Sequence, residues 1–417
     1  MSKTLKWILS AVALLVVVLG GLSAAIAVMT SDRSEGALDT DLHGVSVSSE
    51  TTPAPAEPAE PSEPMADKVC WPAFGGDPLR SLARPHLDLG KPARKLVWTR
   101  KMGDLMEYPP TYCNGRLYVN LEHGETVAMD AETGRVLWTR RAEGLTASSP
   151  AIAGDRLIVS SHGGTVTAFR RSNGKRLWQL RADAAFESSP VAVGGIAYVG
   201  GDDGRLFAID VRTGEPKWVY NLGGRISSSP SVVGAKVCIT TYSGAVGCFH
   251  RTTGERIWVR YFKRDALRYD SFYASPSSDG SRLFTASRSG AVLALDGATG
   301  DDVWEASTGA WTYGTPAVAD GRVFVGDLEG RVRAYRAADG SELWTTQVQG
   351  RVLGPTLVVG ELVFFSTLEQ DTFAARVTDG RIVWRLPMGK YAPGIATERR
   401  YYFSLNGRLA VFEGSRR

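Results

Sequence analysis

The run Ala128-Met129-Asp130-Ala131-Glu132-Thr133-Gly134-Arg135-Val136-Leu137-Trp138 decides the fold, because it comes back. Its frame, Ala-x-Asp-x-x-Thr-Gly-x-x-x-Trp, returns between Ala208 and Trp218 and again between Ala294 and Trp304. Looser copies keep the Gly and the Trp at 174/178, 254/258, 340/344 and 380/384. With one further indole ahead of them, tryptophans stand at Trp98, Trp138, Trp178, Trp218, Trp258, Trp304, Trp344 and Trp384, forty residues apart except for one interval of forty-six. A fixed period of that length marks an array of one supersecondary unit.

Each period reads as four short strands. Ser149-Pro150-Ala151-Ile152-Ala153 opens one copy, and stretches at 156–161, 165–169 and 175–180 come after turns carrying Gly154, Gly163-Gly164 and Gly174. Branched and aromatic residues in runs of strand length, cut by glycine turns, are hairpin chemistry. No stretch after residue 29 has helical periodicity. Four-stranded units repeated radially predict an all-β, eight-bladed β-propeller of antiparallel blades over residues 95–417. The ends of the array support closure. It begins with a lone Trp strand at 95–100 and ends with a strand at 407–412 that no Trp follows, so the first completes the last blade.

The repeated phrase resembles the tryptophan-docking motif of the PQQ-like (pyrroloquinoline-quinone) repeat family, over essentially all of 95–412. The resemblance implies that each indole wedges between neighbouring blades, beside the small residue at the Ala position. Length and layout are most similar to the non-enzymatic, BamB-like members. Enzymes of the family hold their quinone above two adjacent cysteines, with calcium and a catalytic Asp. No two of the four cysteines here are adjacent, so the expectation is a non-enzyme with no cofactor, no PQQ and no bound metal.

The amino terminus is a different material. No charged residue falls between Lys6 and Asp32, and 7–29 is long enough to cross a bilayer as a helix. Lysines before it and acids after it predict a cytoplasmic tail at 1–6, a transmembrane anchor, and an extracytoplasmic remainder in the cell envelope. A cleaved signal peptide is the competing reading, since Ala25-Ile26-Ala27 has the form of a cleavage site. Residues 30–65 are Pro/Ala/Glu-rich and predict a disordered linker, and 66–94 a segment packed on the propeller.

The formal charge of +4 hides three Lys/Arg against eight Asp/Glu in residues 1–65, which leaves the remainder moderately basic. No basic cluster stands out, so nucleic acid is not a predicted partner. The histidines, His43, His86, His123, His162 and His250, are scattered, and no Walker, H-E-x-x-H, G-x-S-x-G or EF-hand string occurs. No catalytic residue is assigned.

Two regions remain for binding. Three residues before the Ser-Pro-like step that starts successive inner strands stand Glu107, Ala147, Glu187, Ser227, Tyr273 and Tyr313. In a closed ring these encircle one mouth of the channel, either as a site or as tolerated residues. The six extra residues of the long interval lie in a loop over that same mouth, with Tyr261, Phe262, Arg264, Arg268, Tyr269, Phe272 and Tyr273, and with Trp311, Tyr313 and Arg225 as candidate neighbours. Aromatics and Arg dominate interface hot spots, although such a loop also packs on its own blade in many proteins. Cys238 and Cys248 flank a short hairpin and Cys70 and Cys113 are a second possible pair; each pair reads either as a disulfide or as thiols. The functional expectation is a membrane-anchored scaffold for envelope proteins of unknown identity. The alternative is a domain that binds or senses a small molecule or anionic polymer at the channel mouth.

Overall fold

The computed structural model describes residues 36–40, 42–49, 69–266 and 268–416, and the regular elements in them are all β-strands. Thr111–Cys113, Arg116–Asn120, Glu125–Asp130 and Val136–Arg141 form blade one, in that order from the axis outward. Six more blades repeat the plan. Blade eight takes Gly394–Ala396, Arg400–Leu405 and Arg408–Gly414 from the C-terminal end and Pro92–Lys101 as its outermost strand. The ring therefore closes inside one sheet, as the offset of the array predicts.

Indoles join the blades. Trp178 is 1% exposed, and its Nε1 donates to the carbonyl of Val211 in the next blade at 2.8 Å. Trp138 bonds in the same way to Arg171, Trp218 to Arg251 and Trp304 to Ala337. Within its own blade, each indole from Trp138 to Trp384 lies opposite the small residue of the motif, as Ala128 faces Trp138. The Asp and Thr set the turn: Asp130 Oδ1 accepts from the Thr133 amide at 2.8 Å and from its hydroxyl at 2.7 Å, an Asx-type turn. Blade eight departs from the pattern, with Trp98 opposite Val411 instead of Ala410.

Around the axis, the Ser-Pro steps are stitched edge to edge. The amide of Ser149 donates to Ser189 Oγ, that of Ser189 to Ser229 Oγ, that of Ser229 to Ser275 Oγ and that of Ser275 to Thr315 Oγ1, at 2.8–3.1 Å. At these four steps an inner strand thus hands one backbone donor to the next blade.

Residues 69–90 do more than pack on the propeller; they run through its axis. Backbone carbonyls of Pro72, Pro78, Leu79, Ser81 and Leu82 accept from the inner-strand amides of Ile152, Val232, Ser278, Val318 and Val358, and Ala83–Arg84 pairs in parallel with Leu357–Val359. Arg80 is fully buried there, in the left-handed region at φ 54. Its guanidinium donates to the carbonyls of Pro230, Phe74 and Ser189. Burial pulls its pKa down to about 9. The Cys70–Cys113 disulfide fixes this plug to blade one. A second disulfide joins Cys238 and Cys248, which are directly opposite across their hairpin.

One expectation needs correcting. Within the linker predicted to be disordered, Ala37–Leu38 and Ser46–Ser49 are strands that add to the outer edges of blades three and two. An outermost strand leaves unpaired backbone groups, so a short polar segment is ordered there without a core of its own. Asp39 and the carbonyl of His43 also engage Arg205. The tail at 1–6, the predicted anchor at 7–29 and most of 30–65 lie outside the described residues. Among the described residues, no helix is long and apolar enough to cross a membrane.

Candidate functional site at the channel mouth

Above the plug the channel opens as a cup of about 280 Å3. Its wall includes Glu107, Ser227, Tyr273 and Tyr313, four of the six residues that the strand register places at this mouth. Glu187 joins them through Tyr273, whose hydroxyl donates to Glu187 Oε1. Arg225 bonds the other carboxylate oxygen of Glu187 at 2.6 Å and reaches Asp202 at 3.2 Å. The rings of Tyr273 and Tyr313 meet edge to face, with centroids 5.9 Å apart.

The residues that sequence reasoning missed are Phe74, Tyr108, Tyr242 and Tyr391. Phe74 comes from the plug and forms the floor, edge to face with Tyr108 at 5.4 Å. Tyr108 directly follows Glu107, so comparing that column across the repeats, where Ser148, Ser188 and Ser228 stand, would have found it. Tyr242 sits in a turn between the second and third strands of blade four, and nothing in the inner-strand register points to it.

Charge is poorly compensated here. Burial, reinforced by the nearby Glu187 and Glu122 carboxylates, pushes Glu107 up to about 7, with Lys390 acting in opposition. Tyr108 is raised by burial and then by Glu107 and Glu187. Tyr273 is raised by Tyr108 beside it, by burial and by Glu187. Both phenols therefore stay neutral in the physiological range. Ser227 is 2% exposed, and its hydroxyl has no hydrogen-bond partner among the described residues.

The long loop divides. Phe272 is wholly buried in the blade-four core with Phe262 edge-on to it at 5.7 Å; a side chain without exposure offers no contact to a partner, and Phe272 is corrected to a core residue. Lys263 and Tyr269 bridge across the loop, Tyr269 packs on Tyr261, and Arg268 pairs with Asp265 at 2.8 Å. The loop tip thus folds on itself, leaving Tyr261 partly exposed. Trp311 is 48% exposed, with the Arg288 guanidinium 4.6 Å from its ring.

Asp104, Glu122 and His123 bring one ligand atom each within 4.8 Å of one another, and His123 Nδ1 bonds Asp104 at 2.9 Å, which raises the His pKa. His123 is exposed in its turn, and that pairing satisfies the group without an ion.

The fold is similar to solved structures on both sides of the enzymatic divide. The BamB of Moraxella catarrhalis superposes with a TM-score of 0.67 at 17% identity, over 76% of this chain and 99% of that one. A europium-containing methanol dehydrogenase gives 0.68 at 14%, over 80% and 87%. The quinohemoprotein alcohol dehydrogenase ADHIIG from Pseudomonas putida HK5 gives 0.68 at 14%, over 84% and 81%. At these identities the likeness shows the fold alone. No curated protein matches in sequence. The profile of the family described as outer membrane protein assembly factor BamB matches residues 88–267 and 252–400, and the chain belongs to that family of PQQ-like repeat propellers.

Proposed function

We propose that this chain is a non-catalytic binding scaffold of the cell envelope, held at a membrane by the apolar run 7–29, that offers its channel mouth to a protein partner. The observation that carries the reading is Trp311. A rigid ring holds an indole half in water two residues from the cup-lining Tyr313, with the Arg288 guanidinium over its ring, and Tyr261 stands partly exposed at the end of the outer strand of blade four. Trp, Tyr and Arg are the residue types that concentrate binding energy when an interface closes over them. The family's description as an outer membrane protein assembly factor agrees with a role in envelope assembly. Neither PQQ nor a metal has a part in this reading.

Site-specific photocrosslinking in intact cells tests it. A crosslinking residue at position 311 or 261 is expected to give one defined protein adduct, and one at Asp155, in an exposed turn of the opposite face, is expected to give none. Trp311→Ala should abolish the adduct formed at 261. Equal adducts from both faces, or none from either, overturn the proposal.

The cup supports a second reading, a ligand-binding mouth, because apolar walls with a few fixed polar groups are what small-molecule sites are made of.

A further inference from the structure

We infer that the cup binds an N–H-bearing organic cation, an alkylguanidinium or alkylammonium group, seated among its tyrosines against Glu107. The inference deepens the reading of this mouth as the binding face and rests on it.

Three observations converge. Tyr108, Tyr242, Tyr273, Tyr313 and Tyr391 line the cavity and Phe74 floors it. Aromatic π-faces attract cations, most strongly where water is excluded. Glu107 shares the cavity, and no described residue donates a hydrogen bond to it. Burying a carboxylate without a partner is costly, and a cation beside it removes that cost. The Ser227 hydroxyl, buried in the same wall, also has no partner among the described residues. An N–H donor reaching Glu107 has this acceptor within the same cavity.

The neighbouring charges favour the same sign. Both oxygens of Glu187 are taken, one by Tyr273 and one by Arg225, and Arg225 is shared with Asp202. Its charge is therefore matched by two carboxylates, and an anion entering the cup would meet Glu107 with Arg225 already committed. Arg80 lies beneath the floor, its guanidinium spent on three carbonyls. The groups acting on Glu107 are Glu187 and Glu122, which favour its protonated form, and Lys390, which favours the charged one. Lys390 itself stands 4.9 Å from the Tyr391 ring, so an ammonium already rests on one aromatic of this rim.

A volume of about 280 Å3 takes the end of one side chain or a small free cation, not a folded segment. Those two sources share one chemistry. Titration calorimetry of the full-length chain in detergent separates them, with n-butylguanidinium as the free cation, acetyl-Gly-Arg-Gly-amide as the protein side chain, and neutral n-butylurea as the isosteric control. The cations are expected to bind at least roughly tenfold tighter than the urea. Glu107→Gln and Ser227→Ala should each weaken them several-fold without lowering the melting temperature. Affinity should rise between about pH 6 and pH 8 as Glu107 ionises. A tripeptide preferred over butylguanidinium identifies a partner's side chain; the reverse identifies a free metabolite. Urea binding as tightly as guanidinium, no binding by either cation, or affinity unchanged in Glu107→Gln overturns the inference. None of these outcomes touches the crosslinking result, so the scaffold reading and the cation site fail separately.

Discussion

The indole of Trp178 rests directly on Gly214 of the following blade: a Cβ added to that glycine would meet ring atoms Cδ2 and Cε3 at 2.6 Å. The same approach recurs at Gly134 on Trp98, Gly254 on Trp218, Gly300 on Trp258 and Gly340 on Trp304. The glycine in the repeated phrase thus serves two blades. Its positive φ makes the turn of its own blade, and its missing side chain is the seat for the indole of the blade before.

Two glycines separate those roles. Gly195, at φ +79, has nothing within 4 Å of an added Cβ, whereas Gly214, at φ +83, has the indole there. Gly195→Ala should cost about 1–2 kcal/mol, the left-handed backbone penalty alone. Gly214→Ala should cost about 1–3 kcal/mol more from overpacking, and Trp178→Ala about 3–5 kcal/mol. Urea midpoints at unchanged slope measure all three.

Cys70 and Cys113 are 43 residues apart in sequence and Cys238 and Cys248 only 10. On loop-closure entropy, opening the first should cost about 4 kcal/mol and the second about 2.5–3 kcal/mol. The kinds of damage should differ too. Cys70→Ala with Cys113→Ala frees the plug, so limited proteolysis should cut within 69–90 before the blades unfold. Cys238→Ala with Cys248→Ala should lower the melting temperature without opening that segment.

Arg80 donates to carbonyls on two blades and on the plug itself. Arg80→Met leaves those acceptors without donors and should cost roughly 2–4 kcal/mol. Arg80→Lys should recover little of it, because one ammonium does not reproduce the fork of a guanidinium. Denaturant unfolding of the two variants checks the order.

Glu107 makes stability fall with pH. Its folded pKa, about 7, lies above the ordinary value of 4.5, so between those values the native state holds the extra proton. Stability therefore declines as pH rises through that window, and above it the full penalty stands. Glu107→Gln should be more stable than the parent by about 1–3 kcal/mol at pH 8 and nearly equal to it at pH 4. Thermal unfolding across that range shows whether the two curves separate with this sign.

Much of this molecule is written in a period of forty, and the features that obey the period were legible. Eight indoles and an offset at the two ends specify the number of blades and the shared eighth sheet. Strand register puts Glu107, Ser227, Tyr273 and Tyr313 in one ring near a mouth, although alternation by itself does not say which of them face the channel. The features that break the period were not legible. Phe272 lies in the inserted loop, where no equivalent position says whether a side chain faces water or core. The plug has no copy elsewhere in the chain, and its order comes from inner-strand amides rather than from its own pattern. Leu38 and Val47 belong to a polar stretch with no core, and they become ordered because two blade edges lack neighbours.

Arg408–Gly414 follows every other strand of the ring in chain order, yet it is the one that Pro92–Lys101 waits for. Seven blades must leave the ribosome while the outermost strand of the eighth has nowhere to pair. A chain stopped before Arg408 would leave two raw sheet edges on an otherwise nearly closed ring, open to proteases and to other chains. Shutting the circle through one late strand makes the presence of that strand the condition for a stable ring.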